Sequence, residues 1–126
     1  MNNFNEMEKL VDKWEPTGLL IGCKDLSDKI QLSDILEEMA DNVMHIYNEE
    51  DSNEETQTKA GILIPMVVRV FNEGVRDINI DRLIEITDEL FPKLKQMEEV
   101  AYNNIDAEAE FTSMCADTYI KEYKNG

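Results

Sequence analysis

A chain of 126 residues with 42% hydrophobic content has the length for one domain with a real core and is too short for two. Its 28 acidic residues against 12 basic ones give a net charge of −16 and a pI near 4.2. That balance argues against duplex DNA, RNA or an anionic membrane surface as a direct partner, because binding phosphate rewards Lys and Arg.

From the N-terminus, Phe4, Met7, Leu10, Val11 and Trp14 fall at spacings of three and four, which predicts a short amphipathic helix stopped by Pro16 and Gly18. Leu19, Leu20 and Ile21 then form an apolar cluster ended by Gly22, read as an extended plug that docks against helices. Ser27 is the expected N-cap of a second helix running to about Glu50, in which Leu32, Leu36, Met39, Val43 and Ile46 recur every three or four residues. Such a seam packs against another helix of the same chain or of a second copy, so a homo-oligomer stays open.

Residues 49–55 hold five acids and no base, which predicts an exposed acidic loop with Ser52 and Glu55 as a capping box for the next helix. Residues 61–71, Gly-Ile-Leu-Ile-Pro-Met-Val-Val-Arg-Val-Phe, are apolar on nearly every side, the pattern of a helix surrounded by neighbours. Pro65 fits its first turn or a kink, and the helix is expected to run to about Arg76 with Gly74 near its end. Asp77, Asn79 and Asp81 mark a turn; Leu83, Thr87, Leu90, Leu94, Met97 and Ala101 form the next stripe, which Pro92 interrupts or restarts. The last helix is expected from Asp106 to about Tyr123, with Ala109, Thr112, Ala116, Tyr119 and Tyr123 on one face and Phe111, Cys115 and Ile120 beside them. The architecture this implies is one all-α domain over residues 1–126, a compact bundle of about five helices around the central apolar helix.

Chemistry-bearing patterns are few. Cys23 and Cys115 are far apart with no CxxC and no neighbouring His, which points to reduced thiols rather than zinc or a disulfide. Glu37, Asp41 and His45 share a helical face, but a bundle metal site wants Glu-x-x-His from paired helices, and a solvated face explains them better. Asp77-x-Asn79-x-Asp81 matches the start of a calcium loop and then fails, with Arg82 at the glycine position and Asp88 where a Glu should close the site. Helix capping accounts for these residues. There is no Gly-rich phosphate loop, no G-x-S-x-G and no Cys/His pair at a catalytic spacing, so the reading is a protein that is not an enzyme, with no catalytic residue, metal or cofactor. No signal-peptide pattern opens the chain and no apolar run reaches membrane-span length, which predicts an intracellular or intraparticle protein.

Trp14 is the only tryptophan, and tryptophan either anchors a partner or closes a small core. The segment around it, Leu10-Val11-Asp12-Lys13-Trp14-Glu15-Pro16-Thr17-Gly18-Leu19-Leu20, resembles the opening of the major capsid protein precursors of T-even-like tailed phages. There a short helix ending in Lys-Trp leads through a Pro turn into a Leu-rich segment. Asp34-Ile35-Leu36-Glu37-Glu38-Met39-Ala40 resembles the following helix of those precursors, although it lacks their Asn-Gln pair. Ile64-Pro65-Met66-Val67-Val68-Arg69-Val70-Phe71 is similar to the Pro-led, Arg-containing segment that precedes their shell domain. The three pieces keep their order and approximate separation across about residues 8–76.

Past Asn72 the chain is acidic and helical, with no room for a β-containing shell domain, so the resemblance implies a protein that shares only the pre-shell region of those precursors. In the family that region faces the scaffold and is removed by a prohead protease after a hydrophobic-x-Glu pattern, which Leu83-Ile84-Glu85 and Ile120-Lys121-Glu122 fit. The implied function is head assembly, in the host cytoplasm or the phage head, through binding of a capsid, scaffold or vertex protein. The partner-binding residues it implies are Trp14, Leu19, Leu20, Met66, Val67, Arg69, Val70 and Phe71. The alternative is an acidic inhibitor or adaptor that binds a basic host protein, in the manner of a nucleic-acid mimic.

Overall fold

The computed structural model describes the backbone of residues 2–49 and 54–125 and the side chains of residues 6–42, 55 and 57–125. Every regular element among them is helical: α1 (Asn2–Trp14), a 3-10 turn (Glu15–Thr17), α2 (Leu26–Glu49), α3 (Glu54–Asn72), α4 (Ile80–Val100) and α5 (Asn104–Asn125). The all-α, five-helix expectation holds. The chain divides into two compact units, Met1–Glu50 and Asp51–Gly126. Residues 50–53 of the acidic stretch, with Ser52 of the expected capping box, lie outside the described residues, as do the side chains of Phe4, Val43, His45 and Ile46.

In the first unit α1 packs against α2. Val11, Leu20, Leu32, Leu36 and Met39 are buried, whereas Met7 at the open end of the α1 stripe is exposed. The 3-10 turn takes Pro16 near its start, where a missing N–H costs nothing, and ends at Gly18 with φ 80°. Residues 19–23 are not the extended plug that the sequence suggests. They continue as tight turns, with the Ile21 N–H donating to the Gly18 carbonyl and the Cys23 N–H to the Leu20 carbonyl, so Leu20 points inward and Ile21 outward. The cap of α2 is Asp25 rather than Ser27: its Oδ1 accepts the Asp28 N–H at 2.9 Å, and Asp28 in turn accepts from the Lys24 N–H.

In the second unit α5 packs extensively against both α3 and α4, and α3 meets α4 over a smaller area. The apolar segment of α3 buries Ile62, Leu63, Met66, Val67, Val70 and Phe71. Gly61 and Pro65 occupy its exposed side. Pro65 is in the helix interior, not the first turn. The hydrogen bond it cannot make belongs to the Gly61 carbonyl on the same exposed side, where water can take its place. Pro92 behaves likewise: α4 runs unbroken through it, and both Pro92 and Asp88, four residues earlier, are exposed.

The C-terminus of α3 lies at Asn72, four residues before the expected end. Gly74, with φ 100°, lets its N–H reach the Phe71 carbonyl and the Val75 N–H reach the Val70 carbonyl, a Schellman motif sealed by buried Val75. Arg76 adds a further donor to the Phe71 carbonyl and lays its guanidinium over the Phe71 ring at 3.8 Å. Asparagines open both following helices. Asn79 Oδ1 accepts the Arg82 N–H at 3.2 Å, and Asn103 Oδ1 accepts the Asp106 N–H at 2.8 Å, which moves the start of α5 to Asn104. Buried α5 positions are Ala107, Phe111, Cys115, Ala116, Tyr119 and Ile120, so Ala109 and Tyr123 of the expected face are exposed instead. Phe111 meets Phe91 edge-on with centroids 6.2 Å apart, and the Tyr119 hydroxyl accepts the Asn79 N–H at 2.8 Å.

Candidate functional site

The sequence-derived binding residues fall into two sets, one in each unit. In the second unit Met66, Val67, Val70 and Phe71 are all buried, and so cannot form the accessible surface the sequence reading gave them. A helix that presents an apolar face at every third or fourth residue uses that face first for its own core. Arg69, half-buried beside them, is held in place: its Nη2 donates to Asp117 of α5 at 2.9 Å and its Nε to Glu73 at 3.2 Å.

The first unit keeps an accessible surface. Leu20 is buried, but Trp14 and Leu19 are half-buried and Ile21 is 86% exposed. This turn is fixed from below. Glu37 of α2 receives the Lys13 ammonium at 2.7 and 2.9 Å on its two oxygens and the Trp14 indole N–H at 3.0 Å. Lys13 also stands 5.6 Å from the indole ring centre. The Lys13 hydrogen bond lowers the Glu37 pKa most; partial burial opposes it, and the Trp14 N–H and the Lys13 charge add to the lowering. Lys29 reaches Glu15 at 3.3 Å, and Thr17 donates to the Trp14 carbonyl while accepting the Leu19 N–H. Residues 14–21 therefore form a braced turn with apolar side chains directed both inward and outward.

No family model, curated protein or solved structure matches this chain.

Other candidate chemistry is placed as follows. Glu37 of the Glu37, Asp41, His45 set is already bonded to Lys13 and Trp14, and His45 lies outside the described side chains. Among the described residues no group of three or more His, Cys, Asp or Glu side chains is arranged to hold a metal ion. Asn79 of the Asp77, Asn79, Asp81 pattern serves as the α4 cap. In the two hydrophobic-x-Glu patterns, Leu83 and Ile120 are buried within helices, and Glu122 is bound by Arg82. No helix among the described residues is long and apolar enough to cross a membrane.

The second unit shows two surface features that the sequence did not announce. One is an open groove of about 450 Å³, floored by Met97 of α4 and Met114 of α5 and edged by Glu110, Asp117 and Lys121. The other is the α4–α5 junction, where Val100 at the end of α4, Tyr102 between the helices and Ile105 at the start of α5 are 87%, 96% and 76% exposed. Their sequence signal is one of exclusion, since none of the three falls on the stripe of either flanking helix.

Proposed function

We propose that this chain is a non-enzymatic protein of tailed-phage head assembly that binds a capsid, scaffold or vertex protein through the braced turn at residues 14–21. It works in the host cytoplasm or inside the head by copying, or competing with, the N-terminal contacts of the capsid precursor. The observation that best supports this reading is the lock around Glu37. The first two pieces that resemble the capsid precursors, at residues 10–20 and 34–40, are joined by the bonds of Lys13 and Trp14 to one carboxylate. A turn held in this way meets a partner with little ordering cost, and Trp14, Leu19 and Ile21 supply the kind of apolar and aromatic contact found at binding hot spots.

Binding of the purified protein to capsid precursor, scaffold and portal proteins tests the proposal, with Trp14→Ala as the paired variant. Weaker binding by the variant with unchanged helical circular dichroism supports it. Equal binding by wild type and variant, or binding to none of the three proteins, contradicts it.

One observation favours the second reading, an acidic inhibitor or adaptor for a basic host protein. Lys13, Lys29, Lys59, Arg69 and Arg82 are each paired with acids of the chain itself, while Asp34, Glu38 and Asp41 lie exposed along α2. Salt separates the two readings: exposed charges are screened within about 10 Å at 0.1 M, whereas an apolar contact persists.

A further inference from the structure

We infer that the tip of the α4–α5 hairpin is a docking surface for a basic segment of a protein partner that carries apolar side chains among its Lys and Arg residues. The inference concerns the second unit alone and does not depend on the partner being a head protein.

Val100, Tyr102 and Ile105 lie within six residues of one another and project almost entirely into solvent. Scattered exposed apolar residues are ordinary, but an aromatic and two β-branched side chains within six residues of one helix junction concentrate exposed apolar surface there. The fold does not use them. The chain is positioned here by other groups: the Ala101 N–H donates to the Met97 carbonyl at 2.9 Å, Asn103 caps α5, and buried Ala107 anchors the first turn of α5. The tip is thus a braced turn whose largest side chains face outward, which lowers the ordering cost of docking.

Charge selects the occupant. Residues 98–110 contain Glu98, Glu99, Asp106, Glu108 and Glu110 and no Lys or Arg, and the nearest cations in the chain, Lys93 and Lys95, stand further back on α4, so acids predominate in the chain on both sides of Tyr102. A second copy docked about a two-fold axis would bring five acids against five, and an anionic lipid surface would be repelled in the same way. A segment with interspersed Lys or Arg and aliphatic residues satisfies both parts of the surface: the apolar side chains cover Tyr102 and its neighbours, and the cations meet the acidic rim. Met97 and Glu110, next to the tip, also line the open groove along α5, whose charged residues are Glu110, Asp117 and Lys121.

The test titrates the full-length protein with two synthetic probes, an amphipathic Leu/Lys peptide and an oligolysine of equal charge. It follows binding by calorimetry and by amide chemical shifts. The Leu/Lys peptide should bind wild type about tenfold more tightly than oligolysine. Its shifts should cluster over residues 96–110. Combined substitution Val100→Ser, Tyr102→Ser and Ile105→Ser should bring the Leu/Lys peptide down to the oligolysine level with helical content and melting temperature unchanged. Equal affinity for the two probes, shifts centred on α2 or spread evenly, or a triple variant that binds like wild type would each overturn the inference. So would a wild-type dimer in sedimentation that the triple substitution dissolves. These readouts leave the turn at residues 14–21 untouched, so the two proposals fail separately.

Discussion

Glu37 ties α2 to the end of α1, because its two oxygens take both the Lys13 ammonium and the Trp14 indole N–H. Sequence spacing alone placed it on a polar face with Asp41 and His45, and only the return of α1 onto α2 reveals its partners. Ser33 is the opposite case. Its Oγ is buried and has no hydrogen-bond partner among the described residues, whereas buried Thr87 returns its hydroxyl to the Leu83 carbonyl at 2.9 Å. An unmatched buried hydroxyl is a net cost, so Ser33→Ala should stabilise the protein by on the order of 1 kcal/mol. Thermal melting checks this, with an expected rise of about 4 °C; a fall would mean that the hydroxyl is engaged. Burial also pushes the Cys115 thiol up to about 11, which leaves little thiolate at neutral pH. With a thiol-reactive dye, Cys115 should stay unmodified in the native protein and react only in denaturant, while half-exposed Cys23 reacts first. Fast modification of both would contradict the packing of α5.

Helix interiors were legible from spacing, and helix ends less so. The stripe of Leu32, Leu36 and Met39 is buried as expected, whereas the 61–71 segment is buried on one side only: Gly61 and Pro65 are exposed and Ile64, Val68 and Arg69 are half-buried. The ends depend on single side chains and on backbone conformation. Asp25, Asn79 and Asn103 cap because they precede an N–H three residues on, a pattern present in the sequence but also at many positions that cap nothing. Of the candidate binding residues, Leu20, Met66, Val67, Val70 and Phe71 are buried, since an apolar stripe does not say whether it meets the core or a partner. Val100, Tyr102 and Ile105 carry no signal of their own in the sequence because they belong to no stripe. Two glycines test the backbone argument with opposite signs, for a Cβ would meet nothing within 4 Å at Gly61 or at Gly74. At Gly61, inside α3, alanine should stabilise by about 1 kcal/mol. At Gly74, with φ 100°, alanine should destabilise by about 1–2 kcal/mol. Denaturant titration of both variants checks the pair, and equal shifts would remove the Schellman ending of α3.

Charge is the property of the whole molecule that sequence states most directly, and the structure adds how it is distributed. Arg82 grips Glu122 through Nη2 at 2.6 Å and Nε at 3.0 Å and reaches Glu89 at 3.3 Å, so the start of α4 is tied to the end of α5. The Arg82 hydrogen bond holds the Glu122 carboxyl below its ordinary value, as Lys13 does for Glu37. A carboxylate with a lowered folded pKa stabilises the fold above its ordinary value near 4.5, and that contribution is lost as pH falls through the folded value. At neutral pH the larger effect is self-repulsion of a chain with net charge −16. Melting temperature at pH 7 should therefore rise with added salt, and stability should decline below about pH 4.5 as the Glu37 and Glu122 pairs protonate. A melting temperature that falls with salt at pH 7 would place the ion pairs ahead of the repulsion. The most direct test of the central claim, that this chain acts by binding head-assembly proteins, is affinity capture of the tagged protein from phage-infected cells, washed at moderate salt and read by mass spectrometry. Recovery of capsid, scaffold or portal chains, diminished by Trp14→Ala, is the result expected. Recovery instead of a polymerase, nuclease or other basic nucleic-acid protein would contradict it and make the acidic surface the functional one.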